Sequence, residues 1–241
     1  MKKVFAIIAM AAVVAVACSK DDTTKKKGGK DNDKTEYVAP ITIDGDFSDW
    51  AKIDAAKMST ATCAADAYKT ALKVVKVYAD ATYVFIYLEF DKDQITWNAN
   101  EYVPFHLYIN GDGDDSTGGY SDEFTVGCAD VLCEGFLTDG TGFDSYNPGA
   151  YKWTGEAGGS GWSWEGILDD GAGLCSGAGA GNAYEIQLIR EMYPLGTLAD
   201  DFSIGFDIQQ GWSSVGWLPN ADITDDNPQG KAPLLKVKTN K

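Results

Sequence analysis

Oxygen-bearing side chains crowd one stretch of the chain: Ile109-Asn110-Gly111-Asp112-Gly113-Asp114-Asp115-Ser116-Thr117-Gly118-Gly119-Tyr120-Ser121-Asp122-Glu123. Its acids and hydroxyls offer hard oxygens on a backbone loosened by glycine. Ca²⁺ takes about 6–8 such ligands at roughly 2.3–2.6 Å. Carboxylates crowded together also repel one another unless a cation sits among them. With Asp112 in the first place of a calcium loop, Asp114, Ser116, the Gly118 carbonyl and Glu123 fall at the third, fifth, seventh and twelfth. Asp115 adds a further carboxylate, and Asp44 or Asp46 forms a lesser alternative site. Thr117 stands where an EF-hand loop carries glycine, and no helix pattern follows. The expectation is a structural Ca²⁺ in a loop joining two strands of one hairpin. The competing reading is a polar turn with a solvated acidic tip.

Other chemistry is sparse. The only histidine is His106, in a strand pattern, and no Gly-x-Ser-x-Gly elbow occurs, so a serine or cysteine triad has little to work with. No pair among the many carboxylates is singled out for glycoside hydrolysis, and the reading is non-catalytic. Cys63, Cys128, Cys133 and Cys175 allow two disulfides in three connectivities, or free thiols. Cys128 and Cys133 bond each other only where the chain turns at Ala129–Asp130. Their spacing does not suggest zinc.

The elements that must position these residues are strands. Leu72 to Asp80 and Tyr83 to Phe90 alternate, joined by Asp80-Ala81-Thr82 as a hairpin. In the second run Val84, Ile86, Leu88 and Phe90 make an aliphatic face and Tyr83, Phe85 and Tyr87 an aromatic one. Pro40 to Asp44, Tyr102 to Asn110, Glu123 to Leu137, Ala183 to Arg190, Phe202 to Gln210 and Leu234 to Lys238 read as further strands, with Ile204, Phe206 and Ile208 inward. Short runs around Tyr151–Trp153 and Gly161–Ile167 interrupt a glycine-rich region. Helix is confined to a turn or two at Asp49–Met58, capped by Asp49, or at Ile189–Tyr193. Many short strands with turn signals predict an all-β, two-sheet antiparallel sandwich, jelly-roll-like.

The first 36 residues do not read as fold. A basic Met1-Lys2-Lys3 and an apolar Val4 to Ala17 form a signal sequence (residues 1–17), too short to span a membrane. Ala15-Val16-Ala17-Cys18 resembles a bacterial lipobox, which implies that Cys18 is the lipidated first residue of the mature chain. Cys18-Ser19-Lys20-Asp21-Asp22 resembles the export tag of surface-exposed lipoproteins. An outer-membrane lipoprotein facing the medium is thus expected, with a periplasm-facing one as the alternative. Residues 18–36 lack large apolar side chains and read as a flexible tether. Residues 37–241, read as one domain, carry 12 Lys and Arg against 31 Asp and Glu, a net charge of −19. That charge disfavours nucleic acid and anionic ligands as partners and favours cations and neutral molecules.

Ile43-Asp44-Gly45 followed by Asp49-Trp50, then Asp80 to Phe90, His106 to Tyr120, Ile204 to Gln209 and Val215-Gly216 together resemble a family 9 carbohydrate-binding module. The resemblance spans most of Pro40–Val237 and implies a calcium-stabilised β-sandwich holding a sugar between two tryptophan faces. By position those are Trp97 and Trp217. His106 stands where such binders carry a carboxylate, and Thr125 where they carry a base. Flat aromatic faces suit the C–H faces of pyranoses. The resemblance therefore implies a neutral glycan or oligosaccharide as partner, with Trp97, Trp217, His106 and Thr125 around it. Packing is the reading for Trp153, Trp162 and Trp164. The alternative function is a non-catalytic structural or assembly lipoprotein with the same fold and no sugar.

Overall fold

The computed structural model describes residues 37–91, 93–95, 103–125, 128–137, 140–141, 149–167, 175–192, 196–211 and 213–241. Ala39–Lys241 forms one unit. Two 3₁₀ turns, Phe47–Lys52 and Ala55–Lys57, precede the strands. In chain order these are β1 (Ser59–Thr62), β2 (Leu72–Ala79), β3 (Tyr83–Phe90), β4 (Val103–Asn110), β5 (Gly119–Tyr120), β6 (Cys128–Ala129), β7 (Val131–Leu137) and β8 (Gly140–Thr141). There follow β9 (Ala150–Trp153), β10 (Trp164–Gly166), β11 (Cys175–Ala180), β12 (Ala183–Ile189), β13 (Glu191–Met192) and β14 (Gly196–Thr197). The last are β15 (Asp201–Gln210), β16 (Ser213–Leu218) and β17 (Leu235–Lys238). One sheet has the order β1-β2-β3-β12-β11-β8; the other runs β10-β9-β7-β4-β15-β16, with β17 also on β15. The fold is the expected all-β two-sheet antiparallel sandwich.

The period-two pattern explains the layering. Val84, Ile86, Leu88 and Phe90 of β3 share one buried cluster with Phe105, Leu107 and Ile109 of β4 and Ile204, Phe206 and Ile208 of β15. Burying each such side chain contributes about 1.5–3 kcal/mol. The opposite face of β3 is covered as well. Phe85 is fully buried in a second cluster with Ile41 and Trp50, ringed by Ile43, Phe47, Tyr83 and Tyr87.

Glu185 of β12 clasps that cover to the sheet. Its Oε1 accepts the backbone N–H groups of Asp44 and Gly45 at 2.9 and 2.8 Å. Its Oε2 accepts the Trp50 indole N–H at 3.0 Å. Three donors offset the cost of burying a carboxylate at 0% exposure. The Ile43-Asp44-Gly45…Trp50 motif is therefore a structural clasp.

Several expected elements differ. Pro40–Asp44 forms no strand: the Thr42 N–H goes to the Asp49 carboxylate and the Asp44 N–H to Glu185 rather than to a ladder. Asp46 and Asp54, not Asp49, cap the 3₁₀ turns, while Asp49 accepts the Thr42 N–H and pairs with Lys52. Glu191–Met192 pairs with Gly196–Thr197 as strands instead of starting a helix; Tyr193 lies outside the described residues. The acidic loop is no simple hairpin tip. β4 pairs with β7 from Val103↔Leu137 to Ile109↔Val131, so the connection is the whole of 111–130. Ser121-Asp122-Glu123 lies outside the sheet, and pairing with β4 resumes at Val131.

Several strands were not expected, β1, β11 and β16 the longest of them. β1 is polar and buries only Ala61. β11 is Cys-Ser-Gly-Ala-Gly-Ala, small because the Tyr184 ring lies over it: a Cβ on Gly177 would sit 2.5 Å from that ring.

Candidate functional site

The acidic loop folds on itself through short carboxylate–backbone contacts. Asn110, at the buried end of β4, accepts the Gly113 N–H at 2.9 Å and donates to Asp115 Oδ1 at 2.9 Å. Asp112 Oδ1 accepts the Asp114 N–H at 2.8 Å. Asp114 Oδ1 accepts the Ser116 hydroxyl and N–H at 2.6 and 2.9 Å, which holds its carboxyl below the usual range. The Gly118 carbonyl accepts the Gly158 N–H. Thus Asp112, Asp114, Asp115 and Ser116 share one exposed loop, with their side chains bonded to neighbouring groups of that loop. Glu123 turns elsewhere. Among the described residues, no group of three or more His, Cys, Asp or Glu stands in a metal-holding arrangement.

A residue absent from the expected set completes the loop. Asp130, just before β7, accepts the Gly111 and Asp112 N–H groups at 2.8 and 3.3 Å through Oδ2. The Thr117 hydroxyl lies 3.1 Å from Asp112 Oδ2, 3.3 Å from Asp130 Oδ1 and 3.0 Å from the Asp114 carbonyl. One proton cannot serve three acceptors. Burial, with the Asp112 charge close by, raises the Asp130 pKa. This oxygen-rich corner is chemically suited to a hard cation.

The same corner lines a cleft of about 340 Å³, whose walls include Asp112, Thr117, Asp130, Trp153 and Leu198. Trp153 packs flat on Gly119, where any Cβ would collide with the indole. Its Nε1 donates to the Glu156 carbonyl at 2.9 Å, and its ring meets Trp164 edge-on at 5.0 Å. Alongside, Tyr151 and Trp162 form a second edge-on pair at 5.3 Å, and Trp162 is 64% exposed. Of the three tryptophans read as packing, Trp162 thus presents most of its surface to solvent.

A second constellation crosses the outer face of the seven-stranded sheet. Strand register places Trp217 (β16), Asp207 (β15), His106 (β4) and Glu134 (β7) in one row. His106 Nε2 lies 2.9 Å from Glu134 Oε1, and Nδ1 lies 3.7 Å from Asp207 Oδ2. Nδ1 is also 3.3 Å from the Tyr108 hydroxyl and 3.2 Å from Gln209 Nε2. Asp207 accepts hydrogen bonds from Gln209 and Ser214. Burial opposes the imidazolium, but the Glu134 hydrogen bond and the surrounding carboxylates outweigh it and raise the His106 pKa. Burial likewise raises Asp207. Glu123 leans over this row, and burial together with the Asp207 charge pushes it up to about 7. Phe124 beside it packs with Trp217 and Leu234, and the Thr125 N–H donates to Ala232, so residues 123–125 roof the row.

The structure therefore gathers three of the four expected ligand residues, His106, Trp217 and Thr125, on one face; Trp97 lies outside the described residues. Trp217 is only 5% exposed, its ring packed among Phe124, Leu234 and Tyr108 and 6.1 Å from Tyr68. It has no free face for a stacked sugar. Its Nε1 and Glu134 Oε2 are buried without hydrogen-bond partners among the described residues. Asp130, Glu134, Asp207 and Gln209 were missed; alternation along β7 and β15 marks Glu134 and Asp207 as outward-facing, but not as neighbours.

Cys63 and Cys133 are free thiols, and burial pushes Cys133 up to about 12. The side chains of Cys128 and Cys175, like residues 1–36 with Cys18, lie outside the described residues. No described helix is long and apolar enough to cross a membrane. No protein-family model and no curated protein sequence matches the chain.

Proposed function

We propose that the chain is a lipid-anchored outer-membrane protein, exposed at the cell surface, whose sandwich binds a neutral glycan without acting on it. The observation that supports this reading is the cleft, where Trp153 stands beside Asp112, Thr117 and Asp130. An aromatic wall with a few convergent polar groups suits a pyranose: carboxylates accept its hydroxyl protons and the indole meets its C–H face. The acidic surface tolerates such a ligand and repels uronic acids and sulfated glycans. This moves the proposed contact from Trp97 and Trp217 to the loop side of the sheet. Asp112, Asp130 and Thr117 are the residues that would hold Ca²⁺ there, and the ion would neutralise two facing acids.

Burial of Trp217 favours a second reading, a structural or assembly lipoprotein with no sugar. Calorimetry of the full chain against neutral oligosaccharides separates the two. Binding is expected in the millimolar to micromolar range, about −4 to −8 kcal/mol, and should weaken in Asp130→Asn. Absence of heat with every neutral glycan, or equal binding by Asp130→Asn, overturns the cleft reading.

A further inference from the structure

The loop that joins β9 to β10 wraps the aromatic wall of the cleft. At its neck the Thr154 N–H and hydroxyl both donate to the Ser163 carbonyl at 2.9 Å. Farther out, the Gly158 N–H donates at 2.9 Å to the carbonyl of Gly118, a residue of the cleft lining. The Glu156 carbonyl takes the Trp153 indole N–H at 2.9 Å. Gly155 lies so close to that indole that a Cβ would stand 2.5 Å from it. Loop and cleft therefore share one wall, Trp153. The same loop carries Trp162, whose ring is braced edge-on by the buried Tyr151 while 64% of the residue faces water.

We propose that Trp162 is an outlying saccharide subsite: one pyranose stacks on its indole while the chain it belongs to enters the cleft at Trp153, so the ligand is an oligosaccharide rather than a single sugar. This inference rests on the glycan reading of the cleft. Size decides the class of ligand. Trp162 is the one large apolar side chain exposed between residues 149 and 167. A single aromatic side chain buries about 150–250 Å², whereas a stable protein partner covers about 800 Å² on each side. A pyranose needs one flat face and polar surroundings, and Ser160 and Glu165 nearby in the chain are exposed. The brace matters as well. A ring held by Tyr151 on a loop closed at its neck is already ordered, so stacking on it forfeits little rotamer freedom. Charge agrees with a neutral sugar, because Glu156 carries an exposed acid in the same loop.

The experiment is a chain-length series on the full chain in detergent, with neutral homo-oligomers of glucose, mannose, galactose and N-acetylglucosamine from monomer to hexamer. Calorimetry gives the affinity, and ¹⁵N-indole NMR follows the Trp162 ring, its signal assigned through Trp162→Phe. For the sugar that binds, wild-type affinity should rise about two- to ten-fold from monomer to hexamer, the worth of one aromatic contact. The Trp162 signal should shift with the hexamer and not with the monomer. Trp162→Ala should lose the gain with length, and Trp162→Phe should keep part of it. Equal wild-type affinity for monomer and hexamer, an indole signal that ignores the hexamer, or a length gain that survives in Trp162→Ala overturns the subsite and leaves the cleft reading standing. The first two of these need no variant to fold. Absence of binding by every oligomer overturns the subsite and the cleft reading together.

Discussion

Replacing Glu123 by Gln should stabilise the protein at alkaline pH and flatten its pH profile. The carboxyl moves from 4.5 to about 7 on folding, because it enters the roof of the row beside the Asp207 carboxylate. A carboxyl whose folded pKa is raised prefers its proton in the folded state. Its stabilising contribution is complete below about 4.5 and is lost as pH climbs through about 7. At 1.36 kcal/mol per unit the swing is at most about 3 kcal/mol. His106 and Asp207 are raised as well, so they act in the same direction. Gln keeps the shape and has no proton to lose. Denaturation of wild type and Glu123→Gln at pH 5 through 9 should show the two close at pH 5. The gap should open as pH rises from about 4.5 to about 7 and hold above pH 7 at up to about 3 kcal/mol, or roughly 6–12 °C in melting temperature for a domain of this size. Parallel profiles across the whole range would refute the burial argument for Glu123.

Trp217→Ala should cost about 3–5 kcal/mol, the price of emptying a packed aromatic site; a melting curve superimposable on wild type would mean that the residue is exposed. Chelation should lower the melting temperature of wild type by the equivalent of about 2.7 kcal/mol, if Ca²⁺ was present at a hundredfold excess over Kd. Asp112→Ala/Asp130→Ala should respond much less, and equal chelator sensitivity would move the ion to another site. Cys18→Ala should leave the membrane fraction on cell fractionation, and unchanged membrane association would refute the lipid anchor.

The strands that carry the sandwich were legible because burial on one face writes a period of two directly into the chain. Tyr83–Phe90 shows both faces in eight residues, and the structure buries them in two separate clusters. Strands whose side chains bury little, such as Ser59–Thr62, or are small to admit a neighbour's ring, as in Cys175–Ala180, leave no such pattern. Local chemistry was legible too: the acidic loop is visible as a run, and its internal contacts span only a few residues. What joins residues distant in the chain was not. Asp130 reaches back 19 positions to Gly111, Glu185 closes on Gly45 across 140, and Gln209 meets His106 across 103. Composition and alternation state which way each of these side chains points. Only strand order and register decide that Trp217, Asp207, His106 and Glu134 lie in one row, since a slip of one residue in any pairing would send that side chain to the other face.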